Sequence, residues 1–418
     1  MFRKRCCSKK RVILLCVALL CVALSVVLVL RVVAVSHISD GKNKQVSALY
    51  LYGDMTEMTS KKDIRTVTAQ FEYLGKRVKY DAAIKIQGTS SLKYEKKNYT
   101  ITFYQDVKLT RKKSVDVGWG EQSKYCLKAN WIDKTHSRNI VTAKLATEVQ
   151  DSYNVLSQAP RNGLIDGFPV ALYINDEFHG LYTWNIPKSA WMFDMDADNP
   201  NHIVLCGEDW ENPVLFKDVP DLEHWSVEVG PENEETLSKF TRLTDFIMNS
   251  SDEEFKNDFE QYMDLDAALN YYILIDFAYL PDNRGKNMLM VTYDGQKWYP
   301  SLYDLDTSWG THWAGLEVYD YKNNPCNFAA TCLWAQRLKE NFPQELHDRY
   351  FALRDNILTK EHIMNLFYEF NESIPAEIKV AEITRWGNAI PGYDFTQIED
   401  YLDYMIPQLD EVYTNLIA

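Results

Sequence analysis

Residues 288 to 303 leave the chain little freedom. Met288-Leu-Met-Val-Thr-Tyr293 and Lys297-Trp-Tyr-Pro-Ser-Leu-Tyr303 are both strand-like, and Asp294-Gly295 between them is a tight-turn pair, so the segment predicts an antiparallel hairpin. A hairpin brings its two open ends together whatever the rest of the molecule does. Asn287, just before the first strand, must therefore lie beside Asp304, just after the second. Upstream, Asp282-Asn-Arg-Gly-Lys-Asn287 reads as a tight loop bent by Pro281 and Gly285, and downstream Asp306 follows in Asp304-Leu-Asp-Thr-Ser-Trp-Gly310.

Phosphoryl transfer needs this set of groups. Asp282 can orient and deprotonate a hydroxyl, while Asn287, Asp304 and Asp306 offer oxygen ligands for a divalent metal on nucleotide phosphates. Tyr303, Leu305 and Trp309 make the setting apolar. Unpaired carboxylates there would be costly, which favours a cation between them. Two other readings stand beside this one. Asp-Asn-x-Gly is also ordinary turn chemistry, and Asp304-x-Asp306 has the form of a metal-dependent phosphohydrolase pair. In the haloacid-dehalogenase motif, however, Thr or Val follows four residues after the first Asp, near the start of the domain; here Ser308 holds that place.

A second site element lies upstream. Ile84 to Gln87 alternates like a strand, and Gly88-Thr-Ser90-Ser91 then offers a flexible turn with hydroxyls and free backbone N–H groups, followed by Lys93, Lys96 and Lys97. Such a turn can cradle triphosphate oxygens. In Lys128 to Asn139, Lys128 and Arg138 either touch phosphates or join a buried ion-pair network that orients a helix over Ile140 to Gln150. Trp131 reads as core.

Five ordered segments together carry a resemblance. Ile84 to Ser91 with Lys96-Lys97, Lys128 to Asn139, Tyr173 to Tyr182, Asp282 to Asn287 and Tyr303 to Gly310 resemble the CotH-type atypical kinases, the spore-coat protein H family. The resemblance implies an α+β, protein-kinase-like bilobal fold that transfers the γ-phosphoryl of ATP to Ser or Thr hydroxyls of envelope or spore-coat-like proteins, with Mg2+ or Mn2+ as cofactor. By position it makes Asp282 the catalytic Asp, and Asn287 and Asp304, with Asp306 open, the metal ligands. Gly88, Ser90, Ser91, Lys96, Lys97, Lys128 and Arg138 are the candidate nucleotide contacts. Two departures stand out: no His-Arg precedes Asp282, and Asn185 occupies the place where the Glu partner of the phosphate-binding lysine is expected.

The rest of the chain suits such a module. Segments 47 to 104 and 168 to 184 read as strands, and 233 to 280 and 333 to 418 as helices, giving a strand-rich first half and a helical second half. Residues 1 to 11 hold six Lys or Arg and no acid, and Val12 to Leu30 carries no charge over 19 residues. This predicts a basic cytoplasmic tail (1–11), a single transmembrane anchor (12–35), a linker (36–46) and a large extracytoplasmic domain (47–418). A cleaved signal peptide is the alternative, given the small residues of Val33 to Ser36. Beyond residue 35 the chain keeps 38 basic and 59 acidic residues, a net −21 that repels nucleic acid and anionic headgroups. Basic protein substrates or a cation-rich wall fit it better. Cys326 and Cys332 are spaced for a small-loop disulfide, and Cys126 reads as buried. A catalytically silent envelope scaffold, in which the acidic cluster holds a structural cation, completes the range of readings.

Overall fold

The computed structural model describes residues 46–156, 159–314, 320–325, 327–387 and 395–418. The apolar run 12–30 lies outside them, as does Cys326 of the expected disulfide. No helix among the described residues is long and apolar enough to cross a membrane. The chain forms a mixed α/β fold around two apolar cores.

The first core is the inside of a barrel. Strands β1 (Ala48–Tyr52), β2 (Ile64–Tyr73), β3 (Lys76–Gln87) and β4 (Asn98–Tyr104) are followed by a small ribbon, β5 (Val115–Asp116) and β6 (Glu121–Gln122), and then by β7 (Lys124–Lys128), β8 (Gly167–Ile174) and β9 (Glu177–Asn185). Hydrogen bonding in the order β1-β2-β3-β4-β7-β9-β8 closes the barrel; β1 and β8 run parallel, the other neighbours antiparallel. Alternation decides which side chains enter. Ala82, Ile84 and Ile86 of β3 are buried while Lys85 between them is exposed. Trp184 fills the middle, its ring 5.3 Å from Phe71 and 5.5 Å from Tyr125. The β8–β9 hairpin turns at Asn175-Asp176, both left-handed (φ 50° and 68°), a geometry these two residue types tolerate well.

The second core begins with α1 (Arg138–Asp151), which is buried on nearly every side. Strands β10 (Ile203–Gly207) and β11 (Trp225–Val229) precede α2 (Glu234–Asn249), α3 (Asp252–Tyr262) and α4 (Leu265–Phe277). Local chemistry starts these helices: Asn233, Ser251 and Asp264 each accept an N–H of the first turn, and Ser251 and Glu254 complete a capping box. The hairpin expected from sequence follows, as β12 (Met288–Thr292) and β13 (Tyr299–Leu302) in register Met288 opposite Leu302, with Asp294 Oδ1 accepting the N–H groups of Gln296 and Lys297 in the turn. These strands join a sheet ordered β11-β10-β12-β13. Helices α5 (Leu333–Asn341), α6 (Pro343–Arg354), α7 (Lys360–Glu372), α8 (Ala376–Trp386) and α9 (Thr396–Thr414) complete the fold.

Helix α8 leaves the helical half and lies on the barrel. Its Trp386 Nε1 donates to His179 O at 2.9 Å, and the fit depends on Gly180, whose missing Cβ would stand 2.8 Å from Lys96 Cε and 2.9 Å from Trp386 Nε1. A side chain at 180 would push the helix off.

One buried acid in this frame makes stability depend on pH. Asp276, on α4, accepts the Phe328 N–H at 2.9 Å, and burial pushes its pKa up from 3.8 to about 7. The folded state therefore holds a proton that the unfolded chain releases, so stability falls as pH rises from about 4 to about 7 and stays lowered above. Asp276→Asn removes that penalty, which is at most on the order of 4 kcal/mol. It should melt higher than the parent at pH 8 and match it near pH 4.5; equal melting at both would show that the carboxyl is not strained by burial.

Candidate functional site

A cleft opens between the barrel and the four-stranded sheet. Gly88, Ser91, Lys96 and Lys128 reach it from the barrel side, and Asp282, Asn287, Asp304 and Asp306 from the other. Its volume of about 360 Å3 falls within the roughly 300–1,000 Å3 usual for small-ligand sites.

The acidic side is built by the hairpin and two supports. Asn287 N–H donates to Gly207 O at 2.8 Å, continuing the pairing of β12 with β10 just past the strand end. The Asp282–Arg284 turn is fastened by its buried neighbour Asn283: Tyr271 of α4 donates to Asn283 O at 2.6 Å, and Asn283 Nδ2 donates to Tyr303 O at 2.7 Å. Asp304 follows β13 in a left-handed conformation (φ 59°). Beyond it the chain is pinned to α1, where Asn139 Oδ1 accepts Leu305 N–H at 2.9 Å and, one turn along, Thr142 Oγ1 accepts Trp309 Nε1–H at 2.8 Å. Helix α1 thus sets the height of Asp304 and Asp306 in the cleft.

Gathering acids raises their proton affinity. Burial, and then the neighbouring Asp304 carboxylate, push Asp306 well above the usual carboxylate range. Burial also raises Asp282, with Lys286 opposing and Asp304 adding to the shift. On the barrel side Lys128 Nζ stands 3.5 Å from Asp304 Oδ1. Burial works against its charge, but Asp304, Tyr303 and Asp306 hold its pKa above the ordinary lysine value. Lys188, after β9, pairs with Glu228 at 2.7 Å and lies 4.7 Å from the Tyr303 ring centre.

Lys96 is the most enclosed cation of the cleft wall, 1% exposed. Its ammonium donates to Ala129 O, Leu181 O and Glu382 Oε1, the last at 2.6 Å, so all three of its N–H groups are engaged. Glu382 Oε2 in turn accepts Leu181 N–H at 2.6 Å. The carboxylate expected near Asn185 therefore comes from α8, almost at the other end of the chain, and Lys96 does not lack a partner. His136, with Nε2 3.7 Å from Glu382, is driven well below its ordinary pKa by burial and by Lys96.

The remaining expected contacts divide. Gly88 (φ 104°) takes a left-handed backbone conformation that favours glycine, and Ser91 Oγ fills the space where a Cβ would stand. Ser90's side chain lies outside the described ones. Lys97 turns back on its own segment, donating to Leu92 O and Tyr94 O, and Arg138 closes on Asp133 at 2.6 Å, 2% exposed. For Arg138 the ion-pair alternative is the one observed, and neither residue lines the cleft. Trp131, expected in the core, is half-buried at the cleft wall beside Tyr94, because the turn carrying it lies outside the barrel strands.

Sequence reasoning missed Lys188, Glu208, Lys286 and Thr307 of the lining, and Glu382 behind it. Among the described residues, the three metal-binding side chains whose ligand atoms lie within 4.8 Å of one another are Cys206, Glu208 and Glu228. Lys188 already sits on Glu228, and burial pushes the Cys206 thiol up to about 11, which makes this a weak cation site.

A family model described as CotH kinase protein matches residues 84–407. The chain belongs to the CotH family. The match runs from β3, which leads into the Gly88 turn, through every cleft-lining residue but Lys61, to α9. No curated protein matches the chain. In this CotH chain the five segments singled out in the sequence all reach the cleft or its immediate supports.

Proposed function

We propose that this CotH chain is a metal-dependent phosphotransferase that moves the γ-phosphoryl of ATP to a Ser or Thr hydroxyl, in a bilobal arrangement with the barrel as one lobe and the sheet with its helices as the other. The observation that carries the reading is the pairing across one cleft of a left-handed glycine turn and a lysine wall with a loop Asp, an Asn and two further acids. The residues fit a nucleotide and its metal: the left-handed backbone at Gly88 (φ 104°) bends the turn at the cleft with the Ser91 hydroxyl packed against it, and burial, together with the Asp304 carboxylate, raises Asp306 and Asp282 against the opposing Lys128 and Lys286. Asn287 and Asp304, with Asp306, would hold Mg2+ or Mn2+, which supplies charge neutralisation between carboxylates and phosphates.

The chain's own groups do the rest. Lys128 neutralises the transferring phosphoryl; Lys96, fully engaged, holds the cleft wall rather than reaching in. Asp282 accepts the proton of the acceptor hydroxyl, whose oxygen bonds to the γ-phosphorus while the bridging oxygen leaves with ADP. We further place this activity outside a membrane, anchored by residues 12–35. Ser and Thr of envelope proteins are then the acceptors within reach.

Calorimetry on the full chain in detergent tests the nucleotide half. ATP should bind with Mg2+ or Mn2+ present, and chelator or Asp304→Ala should weaken binding by on the order of tenfold or more. Equal ATP affinity with chelator would remove the metal from the reading. Release of free phosphate with no labelled protein would favour a phosphohydrolase using Asp304 and Asp306, and no ATP binding at all would favour a scaffold.

A further inference from the structure

Asp282 faces two hollows. One is the cleft; the other, on the far side of the loop, is lined by Trp210, Leu215, Pro281, Arg284 and Trp313 and shares Asp282, Thr307 and Trp313 with the cleft. If the nucleotide fills the cleft, an acceptor hydroxyl must come to Asp282 from this second side.

The second hollow is built rather than accidental. Trp210 and Trp313 are large apolar side chains left 48% and 61% exposed at its rim. The segment bearing Trp210 and Leu215 lies directly on the Asp282 loop because Gly285 has no side chain: a Cβ there would stand 3.0 Å from Asp209 O, 3.1 Å from Leu215 Cδ2 and 3.3 Å from Trp210 Cδ1. Lys286 Nζ lies 5.5 Å from the Trp210 ring centre and holds it from the cleft side. At the junction of the two hollows Thr307 is 4% exposed, and its Oγ1 has no hydrogen-bond partner among the described residues. A buried hydroxyl of that kind is a standing demand for a ligand group.

From this we infer that the hollow seats an acceptor polypeptide in which an apolar side chain flanks the Ser or Thr. That side chain rests against Trp210, Leu215 and Trp313, and Thr307 Oγ1 hydrogen-bonds the acceptor main chain beside Asp282. The inference rests on the phosphoryl-transfer reading of Asp282. A peptide suits the hollow because Trp210, Leu215, Pro281 and Trp313 give an apolar seat for a side chain, while Arg284, Thr307 and Thr331 offer polar groups to the main chain beside it.

Two Ser-containing peptides of equal charge, one with Leu or Phe on each side of the Ser and one with Asn there, are offered to the full chain with labelled ATP and Mg2+. The apolar peptide should be preferred in kcat/KM by roughly tenfold or more. Leu215→Ala, at a position lining only the second hollow, should raise its KM severalfold and that of the polar peptide little, while calorimetry shows ATP still bound. Equal kcat/KM for the two peptides overturns the inference, as does transfer to an oligosaccharide but to neither peptide; in both cases the transfer reading survives. No transfer to any acceptor defeats the transfer reading itself, and tryptophan fluorescence then decides for the groove. A saturable blue shift with the apolar peptide, weakened in Leu215→Ala, which keeps both tryptophans, upholds it, and no shift overturns it.

Discussion

Asp282→Ala should abolish most phosphoryl transfer, by on the order of 10²-fold or more, while metal-dependent ATP binding persists. The separation follows from position: Asp282 lies where the cleft meets the second hollow, whereas Lys128, Asn287 and Asp304 line the nucleotide side. Transfer of γ-label to protein, with calorimetry of ATP in parallel, measures the two quantities independently. A variant that loses both together would place Asp282 among the nucleotide contacts instead. The same residue sets an acid limb. Because burial and Asp304 raise its pKa, the deprotonated base accumulates at a pH above the ordinary carboxylate range, and the rate should climb through that range rather than reach its plateau near pH 4. Asp282→Asn, unable to accept the proton, should flatten the limb.

Breaking the buried ion pair should cost more stability than any other single change in the cleft. Lys96 and Glu382 are 1% and 2% exposed and 2.6 Å apart, so Glu382→Ala strands an ammonium in a dry site and leaves the Leu181 N–H without its acceptor. Removing one partner of such a pair costs about 3–5 kcal/mol. Glu382→Gln, which keeps the Leu181 contact, should recover part of the loss, and replacing both residues by Met and Leu should recover more, since no lone charge is then buried. Denaturant unfolding of the full chain reads all three variants. A Glu382→Ala protein as stable as the parent would show that the pair does not lock α8 to the barrel.

What the sequence disclosed and what it hid divide by range of interaction. The hairpin of β12 and β13 was legible because its turn residues and strand-like runs are contiguous, and so the meeting of Asn287 with Asp304 was legible too. Helix α1 was also legible, as Ile140 to Gln150 within Arg138–Asp151. Arg138, by contrast, had two readings from sequence alone, and the choice between phosphate and Asp133 is made by the fold of the turn before the helix. Glu382 could not be found at all. Its helix carries no motif, and its partner lies 286 residues away, so only the packing of α8 against Gly180 reveals it. The second hollow was hidden for a similar reason: Trp210 and Leu215 come from the loop between β10 and β11, packed on Gly285, and Trp313 from the segment after β13, so they meet only in the folded chain.

The origin of that carboxylate also bears on when the protein becomes competent during its own synthesis. The barrel strands, the Gly88 turn and the Asp282 loop all leave the ribosome before α8 does, and at about 5–20 residues per second the interval from Lys96 to Glu382 lasts roughly 15–60 s. Throughout it Lys96 has no carboxylate to pair with and the barrel wall at Leu181 is unfinished. A chain released early would carry every cleft-lining acid and still lack a settled cleft. The Lys96 side of the cleft wall is thus complete only once α8 has been made, and a product cut short before Glu382 lacks the pair that closes it.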